Sequence, residues 1–234
     1  MEVTVTAQGY EPLTETVTLE RGKNAVTLTL KADPLQANPV VACQPGQEIL
    51  LIEDFEDRDL QGWENVTRPI WDFADFEGRG TVAKINTLEG GTHVEVPVSY
   101  GNGVWHFDIL RPPQMGLLWM RIHQGPDESY IILFAQKTEF ALQYEPGGYG
   151  IGYRALPPGD GETWEHFSIV YYDGALDVYR DDELWLGIDV DDPFYPSGSA
   201  SVASQNSEFH LDNIVFCSLS EPYVPPVVEE VVEE

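Results

Sequence analysis

The spacing of apolar residues from Glu48 to about Leu219 is the feature that most limits the fold. Apolar residues there alternate with polar ones in short runs separated by Gly, Pro and Asp, and no segment keeps a helical period over about 11 residues. The clearest runs are 103–110, 115–123, 129–135, 139–145, 164–172, 175–180, 183–190 and 207–216. Many short strands within about 170 residues are typical of a jelly roll. The sequence therefore predicts an all-β antiparallel jelly-roll sandwich.

The segments on either side of this region have a different composition. Within residues 1–30, Val26, Leu28 and Leu30 alternate with threonines as in a half-buried strand, but three short strands are too few for a stable sandwich. Prolines interrupt the next segment, and Pro, Val and Glu repeat at the end of the chain. The predicted organisation is a partial β module at 1–30, a linker at 31–47, the jelly roll at 48–219 and a tail at 220–234.

The charge of the chain excludes several classes of partner. It has 40 Asp plus Glu against 12 Lys plus Arg, a formal net charge of −28. Nucleic-acid binding needs clustered basic residues, and anionic lipid attracts basic rather than acidic surfaces. No run approaches the roughly 20 apolar residues that cross a bilayer. Met1 is followed by Glu2-Val3-Thr4 rather than by a secretory leader. We also expect the chain to begin inside a domain, with an upstream part removed, so the missing leader carries little weight.

Four stretches of the main region carry a family resemblance. They are Leu51-Ile-Glu-Asp-Phe55 continuing to Gly62-Trp63, the run from Trp164 to Asp182 with Asp173-Gly174 at its turn, Pro196–Val202, and Phe209-His-Leu-Asp212-Asn213-Ile-Val-Phe216. In this order they resemble the concanavalin A-like jelly roll, whose members include lectins, carbohydrate-binding modules, glucanases and the domain of 3-keto-disaccharide hydrolases. The resemblance implies the fold and a glycan or polysaccharide ligand, and it does not decide between binding and catalysis.

The first 30 residues resemble a different family. Val3-Thr-Val-Thr with Gly9-Tyr10, followed by Thr16-Val-Thr-Leu and Val26-Thr-Leu-Thr-Leu30, is similar to the second half of a PEGA or carboxypeptidase-regulatory-like module. Such modules are spacers on bacterial surface proteins. The resemblance implies neighbouring domains in a longer chain and an extracellular or cell-surface location. It also leaves open a structural or self-assembling role for the whole protein.

Acidic residues near both ends of the main region suggest a metal site. Glu53, Asp54, Glu56 and Asp57 follow the predicted first strand, and Asp212 lies on the last. If these strands are neighbours, their carboxylates meet, and Ca²⁺ is bound by such oxygens. Carbohydrate-binding modules of the resembled family often hold calcium between these strands. We therefore expect a structural calcium at Glu53, Glu56, Asp57 and Asp212. In the alternative, Asp212 and Asn213 cap a turn and the acidic run is solvated.

Three predicted strands place polar side chains opposite the core. In 117–123, Leu118, Met120 and Ile122 face one way. The runs 104–110 and 140–145 alternate in the same way. The side chains on the remaining face are Trp119, Arg121, His123, His106, Asp108, Gln143 and Glu145.

An aromatic ring among such groups suits a sugar. The ring stacks on C–H faces, while planar polar groups bind hydroxyl pairs. The family resemblance implies that this is the concave face on which glycans lie. The alternative is an ordinary solvated sheet face.

A catalytic alternative uses part of the same set. Asp108, Glu145 and His123 are the acid–base candidates for a keto-disaccharide-hydrolase type of reaction. Glycosidases need carboxyl groups about 5 Å apart, or roughly 6.5–9.5 Å apart when they invert, and a sequence does not give this distance. The glucanase signature Glu-x-Asp-x-x-Glu does not occur in the chain, so we favour binding over catalysis.

Two cysteines, Cys43 and Cys217, flank the main region. Neither belongs to a Cys-x-x-Cys pair, which argues against structural zinc. If the first and last strands are neighbours, the two residues could form a disulfide, which requires an oxidising compartment. Two buried unpaired thiols are the alternative.

Overall fold

The computed structural model describes residues 2–5, 13–16, 43–44, 46–67, 70–77, 79–113, 116–124, 129–135, 139–145, 149–189 and 197–225. The chain divides into two compact units, Met1–Gln44 and Pro45–Glu234. In the first unit, β1 (Glu2–Val5) pairs antiparallel with β2 (Leu13–Thr16). The predicted strand at 26–30 and the repetitive end of the tail, 226–234, lie outside the described residues.

The second unit, called the sandwich unit below, contains every other described strand. These strands are β3 (Ile49–Glu53), β4 (Trp71–Phe76), β5 (Gly80–Asn86), β6 (Gly91–Tyr100), β7 (Gly103–Leu110), β8 (Leu117–Gln124), β9 (Ser129–Ala135), β10 (Glu139–Glu145), β11 (Tyr149–Ala155), β12 (Trp164–Tyr172), β13 (Ala175–Arg180), β14 (Glu183–Asp189), β15 (Gly198–Gln205) and β16 (Glu208–Ser218). The part of the chain that the structure describes has no helix long and apolar enough to cross a membrane.

The strands of the sandwich unit form two antiparallel sheets. Among the described residues, the six-stranded sheet has the order β11-β10-β9-β8-β15-β6, and the eight-stranded sheet has the order β14-β13-β12-β7-β16-β5-β4 with β3 also paired to β16. The prediction of an all-β antiparallel sandwich is confirmed. The first and last strands of the domain are neighbours, as expected, because Glu53 on β3 is registered with Ile214 on β16.

The core lies between the inner faces of the two sheets. Trp105, Phe107 and Ile109 of β7 are fully buried, and so are Leu118, Met120 and Ile122 of β8 in the other sheet. Aromatic rings join the layers: Phe107 contacts Phe134 of β9 edge to face, with ring centroids 6.4 Å apart. Burying an aromatic or aliphatic side chain of this size stabilises the fold by about 1.5–3 kcal/mol. The period of two in the sequence arises from this burial.

Two further features concern the ends of the predicted jelly roll. Cys43 and Cys217 are both disulfide-bonded, and the described residues include no free cysteine. The chain continues against the eight-stranded sheet beyond the predicted limit at Leu219. Tyr223 packs edge to face on Tyr179 with ring centroids 5.3 Å apart. Its ring also lies 6.0 Å from that of His106 on β7, so this part of the predicted tail lies against the sheet.

Candidate functional site

We call the outer face of the six-stranded sheet the front face. Two rows of side chains cross it on β6, β15 and β8. Trp119 on β8 is registered with Ala203 on β15, and Ala203 with His93 on β6. One pair further along, Ser201 is registered with both Arg121 and Glu95. Directly opposed residues of antiparallel strands project on the same side of a sheet. Since Leu118 and Met120 point into the core, the two rows point outward. The front face therefore comprises His93, Glu95, Trp119, Arg121, Gln143, Tyr153, Ser201 and Ala203.

The middle strand of these rows has small side chains. Ser201 and Ala203 are buried, whereas Trp119 and Arg121 on one side are partly exposed and His93 on the other is exposed. Two strand spacings separate β6 from β8, which is about 9.6 Å between their backbones. The Ser201 hydroxyl donates to Gln124 Oε1 at 2.6 Å, so the floor is fixed. The larger side chains thus border a shallow trough floored by β15.

The far side of the front face carries a tyrosine that lies against the sheet. Tyr153 on β11 is registered with Ala141 and is 57% exposed. A Cβ atom on Gly150 would lie 1.6 Å from the Tyr153 hydroxyl oxygen, so the ring occupies the space above this glycine. Three strand spacings, about 14 Å, separate β11 from β8. The face is therefore wide enough for more than one ring of a sugar chain.

The structure brings part of the predicted polar set together. Trp119, Arg121 and Gln143 share the front face, because Arg121 and Gln143 are both registered with Ile131 on β9. The side chain of Glu145 lies outside the described part of the chain. Of the predicted set, these three residues are the ones that the front face contains.

The prediction that His123 lies on the same face as Trp119 and Arg121 is wrong. This side chain is buried, its Nε2 lies 3.0 Å from the carbonyl oxygen of Gly101, and its ring packs on Tyr171 with centroids 4.3 Å apart. Two irregularities interrupt the alternation here. His123 has a φ of 52°, and the pairing of β8 with β15 shifts between Ser199 and Ser201. The side chain therefore turns away from the front face.

The placement of His106 and Asp108 beside Trp119 is also wrong. Both residues lie on β7, which belongs to the eight-stranded sheet, and both are buried on its outer face. The sequence pattern separates inner from outer faces, but it does not say which sheet a strand joins. Asp108 and Glu145, two of the acid–base candidates, therefore lie on strands of different sheets.

Asp108 is instead the centre of a buried ion-pair network. Its Oδ2 accepts from Arg79 Nη1 at 2.7 Å and from Asn213 Nδ2 at 2.8 Å, while Oδ1 lies 2.8 Å from His166 Nδ1. Burial by itself raises the pKa of Asp108, but the hydrogen bonds from His166, Asn213 and Arg79 bring this pKa below its ordinary value. Asp108 is therefore ionised in the folded protein.

Asp212, the carboxylate predicted to bind calcium from the last strand, joins the same network. Its Oδ2 accepts from Arg79 Nη1 at 3.1 Å. Burial raises the pKa of Asp212 to about 6, against the opposing effect of Arg79. A guanidinium thus supplies positive charge at a carboxylate for which calcium was expected.

The other predicted calcium ligands accept hydrogen bonds from the backbone. Glu53 Oε1 accepts from the amide of Phe55 at 2.9 Å, Glu56 Oε1 from Thr81 at 3.0 Å and Asp57 Oδ1 from Asp59 at 2.9 Å. Within the described ranges, no group of three or more His, Cys, Asp or Glu side chains is arranged to hold a metal ion. Calcium binding stays a prediction from the sequence.

Several front-face residues escaped sequence reasoning. His93 and Glu95 alternate with Val94, Val96 and Val98, so the pattern that identified β8 could also have identified β6. The sequence around Ser201 and Ala203 does not indicate a site. Small residues form a floor only beside larger ones, and the neighbouring strands are known only from the structure. Tyr153 follows a Gly-rich stretch, and its place on the front face depends on the pairing of β11 with β10.

Comparison with known proteins supports the fold. No protein-family model matches the chain, and no curated protein matches it. Among solved structures, a Bacillus subtilis protein of unknown function with a galectin-like fold matches with a TM-score of 0.58 and 10% identity over 72% of this chain and 94% of that one. A carbohydrate-binding module from Bacillus subtilis matches with a TM-score of 0.53 and 14% identity over 67% of this chain and 96% of that one.

A third solved structure is similar in the same way. Domain 4 of an extracellular arabinanase from Geobacillus stearothermophilus, in complex with arabinotriose, gives a TM-score of 0.55 and 15% identity over 74% of this chain and 93% of that one. These likenesses show the fold alone, an antiparallel β sandwich of the galectin-like type. These likenesses give no support to the predicted PEGA module at residues 1–30.

Proposed function

We propose that the front face of the sandwich unit is a non-catalytic carbohydrate-binding site and that its glycan lies in the trough of this face. The observation that carries this proposal is the small-residue floor at Ser201 and Ala203 between Trp119 and His93. A pyranose or furanose ring offers an apolar C–H face to an indole and its hydroxyls to planar polar groups. Trp119 supplies the ring, and Arg121 and Glu95 supply the polar partners in the neighbouring row.

The fold likenesses agree with this proposal. One similar structure is a carbohydrate-binding module, and another was solved with arabinotriose. A neutral or basic sugar chain also suits a protein with a net charge of −28, because a polyanionic glycan would be repelled. We therefore favour an uncharged polysaccharide as ligand. The disulfide-bonded state of Cys43 and Cys217 supports an extracellular or other oxidising location.

Titration calorimetry against soluble polysaccharides tests the proposal. Trp119→Ala should weaken the binding of any glycan recognised by the wild type at least about tenfold, or about 1.4 kcal/mol. Leu184→Ala is the matched control, since Leu184 is 58% exposed on β14 of the other sheet. Equal affinities of the two variants would reject the front face. Release of reducing sugars during incubation would instead show catalysis.

A further inference from the structure

A quartet of polar side chains is buried on the outer face of the eight-stranded sheet. His106 and Asp108 on β7 are registered with Ser168 and His166 on β12, so the four form a two-by-two block that we call the polar quartet. Ser168 is 0% exposed, and the other three are buried as well. Such groups fix the register of two strands. Three of them also have the order of an aspartate–histidine–serine triad.

Within the quartet, an aspartate contacts a histidine, and the same histidine contacts a serine. Asp108 Oδ1 lies 2.8 Å from His166 Nδ1, and His166 Nε2 lies 3.3 Å from Ser168 Oγ. Since Asp108 is ionised and can only accept, the Nδ1 of His166 carries a proton and donates a hydrogen bond to this carboxylate. In the neutral ring, Nε2 is then the acceptor for the Ser168 hydroxyl proton. Nucleophilic serines are activated by this orientation.

The fourth member completes the arrangement around the serine oxygen. His106 Nδ1 lies 2.8 Å from Ser168 Oγ. Burial, together with the neighbouring His166, lowers the pKa of His106 to about 3, against the opposing effect of Asp108. The ring is therefore neutral, and with its proton on Nδ1 it donates to Ser168. When Oγ forms a new bond, this N–H becomes available to a negative oxygen beside it.

A residue of the C-terminal segment covers the quartet. The ring centroid of Tyr223 lies 6.0 Å from that of His106 and 5.3 Å from that of Tyr179. Burial raises the pKa of Tyr223 to about 12, so the phenol is neutral. In this state the Ser168 hydroxyl is shielded from solvent. Tyr223 lies after β16 and outside the described strands, so it can leave without breaking a strand pairing.

We propose that Ser168 is a masked nucleophile, oriented by His166 and Asp108, which accepts an acyl group from a carboxylic ester when Tyr223 is displaced. In the reaction, Ser168 Oγ bonds to the ester carbonyl carbon and its proton passes to His166 Nε2. The carbon–oxygen bond to the alcohol then breaks, and His166 returns the proton to that alcohol. Water releases the acid by the same two steps. The site lies on the opposite sheet from the front face and does not depend on glycan binding.

A fluorophosphonate probe tests the proposal on the full chain. Attack by Ser168 forms an oxygen–phosphorus bond and releases fluoride, so peptide mass spectrometry locates the adduct. We expect labelling at Ser168 in Tyr223→Ala, none in the wild type and none in Leu184→Ala, a control that removes an exposed apolar side chain from the same sheet. Adding His166→Gln to Tyr223→Ala should slow labelling roughly 10²- to 10⁴-fold. Labelling at an unchanged rate would overturn the role of His166.

Accessibility is measured separately from activation. The chain's two cysteines are both disulfide-bonded, so Ser168→Cys adds one thiol that iodoacetamide can report. Rapid alkylation in the Tyr223→Ala background, combined with no fluorophosphonate adduct on Ser168 in Tyr223→Ala alone, would show a reachable but inactive serine and would overturn the proposal. Absence of alkylation would also overturn it, since Tyr223 would then not be the cover.

Discussion

Trp119 and His93 face the same side of the six-stranded sheet, with Ala203 between them on the intervening strand. This relationship makes a trough out of what is otherwise a flat sheet face. It depends on one strand having small outward residues where its neighbours have large ones. The proposed glycan site can therefore be blocked from its floor as well as dismantled at its walls.

Ala203→Leu should block the trough without removing any proposed ligand contact. Three added carbon atoms would stand between Trp119 and His93, at the height where a sugar ring would lie. We expect at least about a tenfold loss of glycan affinity by calorimetry. The free energy of unfolding in urea should change by less than about 1.5 kcal/mol, because the position is on an outer face. Unchanged affinity would mean that the ligand lies elsewhere.

Gly150→Ala should displace Tyr153 from the sheet. The new methyl group would overlap the Tyr153 hydroxyl, and the ring must swing outward because it is the movable partner. We expect the variant to weaken glycan binding about as much as Tyr153→Ala does. Gly90→Ala is the control, since a Cβ there meets nothing within 4 Å. Binding that is lost in Tyr153→Ala but retained in Gly150→Ala would show that the flat orientation is unimportant.

Asp108→Asn should destabilise the protein strongly. The substitution removes one of two carboxylates that hold Arg79 and leaves a buried network with unmatched donors. Breaking a buried charge pair costs about 3–5 kcal/mol. Asp75→Asn provides the comparison, because Asp75 pairs with Arg58 on the surface with both side chains largely exposed, and such pairs contribute about 0–1 kcal/mol. Similar unfolding free energies for the two variants in urea would contradict the proposed weight of the Asp108 network.

Glu53 should make stability depend on pH. Burial raises its pKa from 4.5 to about 7, the Phe55 amide opposes this shift, and nearby carboxylates including Asp57 add to it. The folded state thus binds this proton more tightly than the unfolded chain does. Its contribution to stability is complete below about pH 4.5 and is lost as pH rises through about 7.

The comparison is between the wild type and Glu53→Gln. Between pH 4.5 and 7 the free energy of unfolding of the wild type should fall relative to that of the variant. Urea titrations in calcium-free buffer with a chelator measure the difference, because calcium was expected at this carboxylate and would favour its ionised form. Parallel pH profiles would contradict the shift at Glu53.

Much of the fold follows from local alternation, and the candidate site follows only in part. Leu118 and Met120 were assigned to the core correctly by their period of two along the strand. That same period made His106 and Trp119 look like members of one face, although their strands lie in different sheets. Sheet membership is decided by pairing over long sequence separations, which a period of two does not encode.

The remaining differences have equally specific causes. His123 turns inward because its backbone has a positive φ. A histidine in the sequence does not predict this conformation. His166 and Ser168 read as ordinary alternating residues of one strand. Both are buried in a quartet that lies against Tyr223, more than 50 residues further along the chain, so their burial could not be predicted from their own neighbourhood.

Chemical-shift mapping with a polysaccharide that binds would test the proposed function most directly. Backbone amide shifts in the isotope-labelled protein report where the ligand lies, whichever sugar it contains. We expect the largest changes on β6, β8 and β15 around His93, Trp119 and Ser201, with little change on β14. Changes concentrated on the outer face of the eight-stranded sheet would contradict the front face as the glycan site.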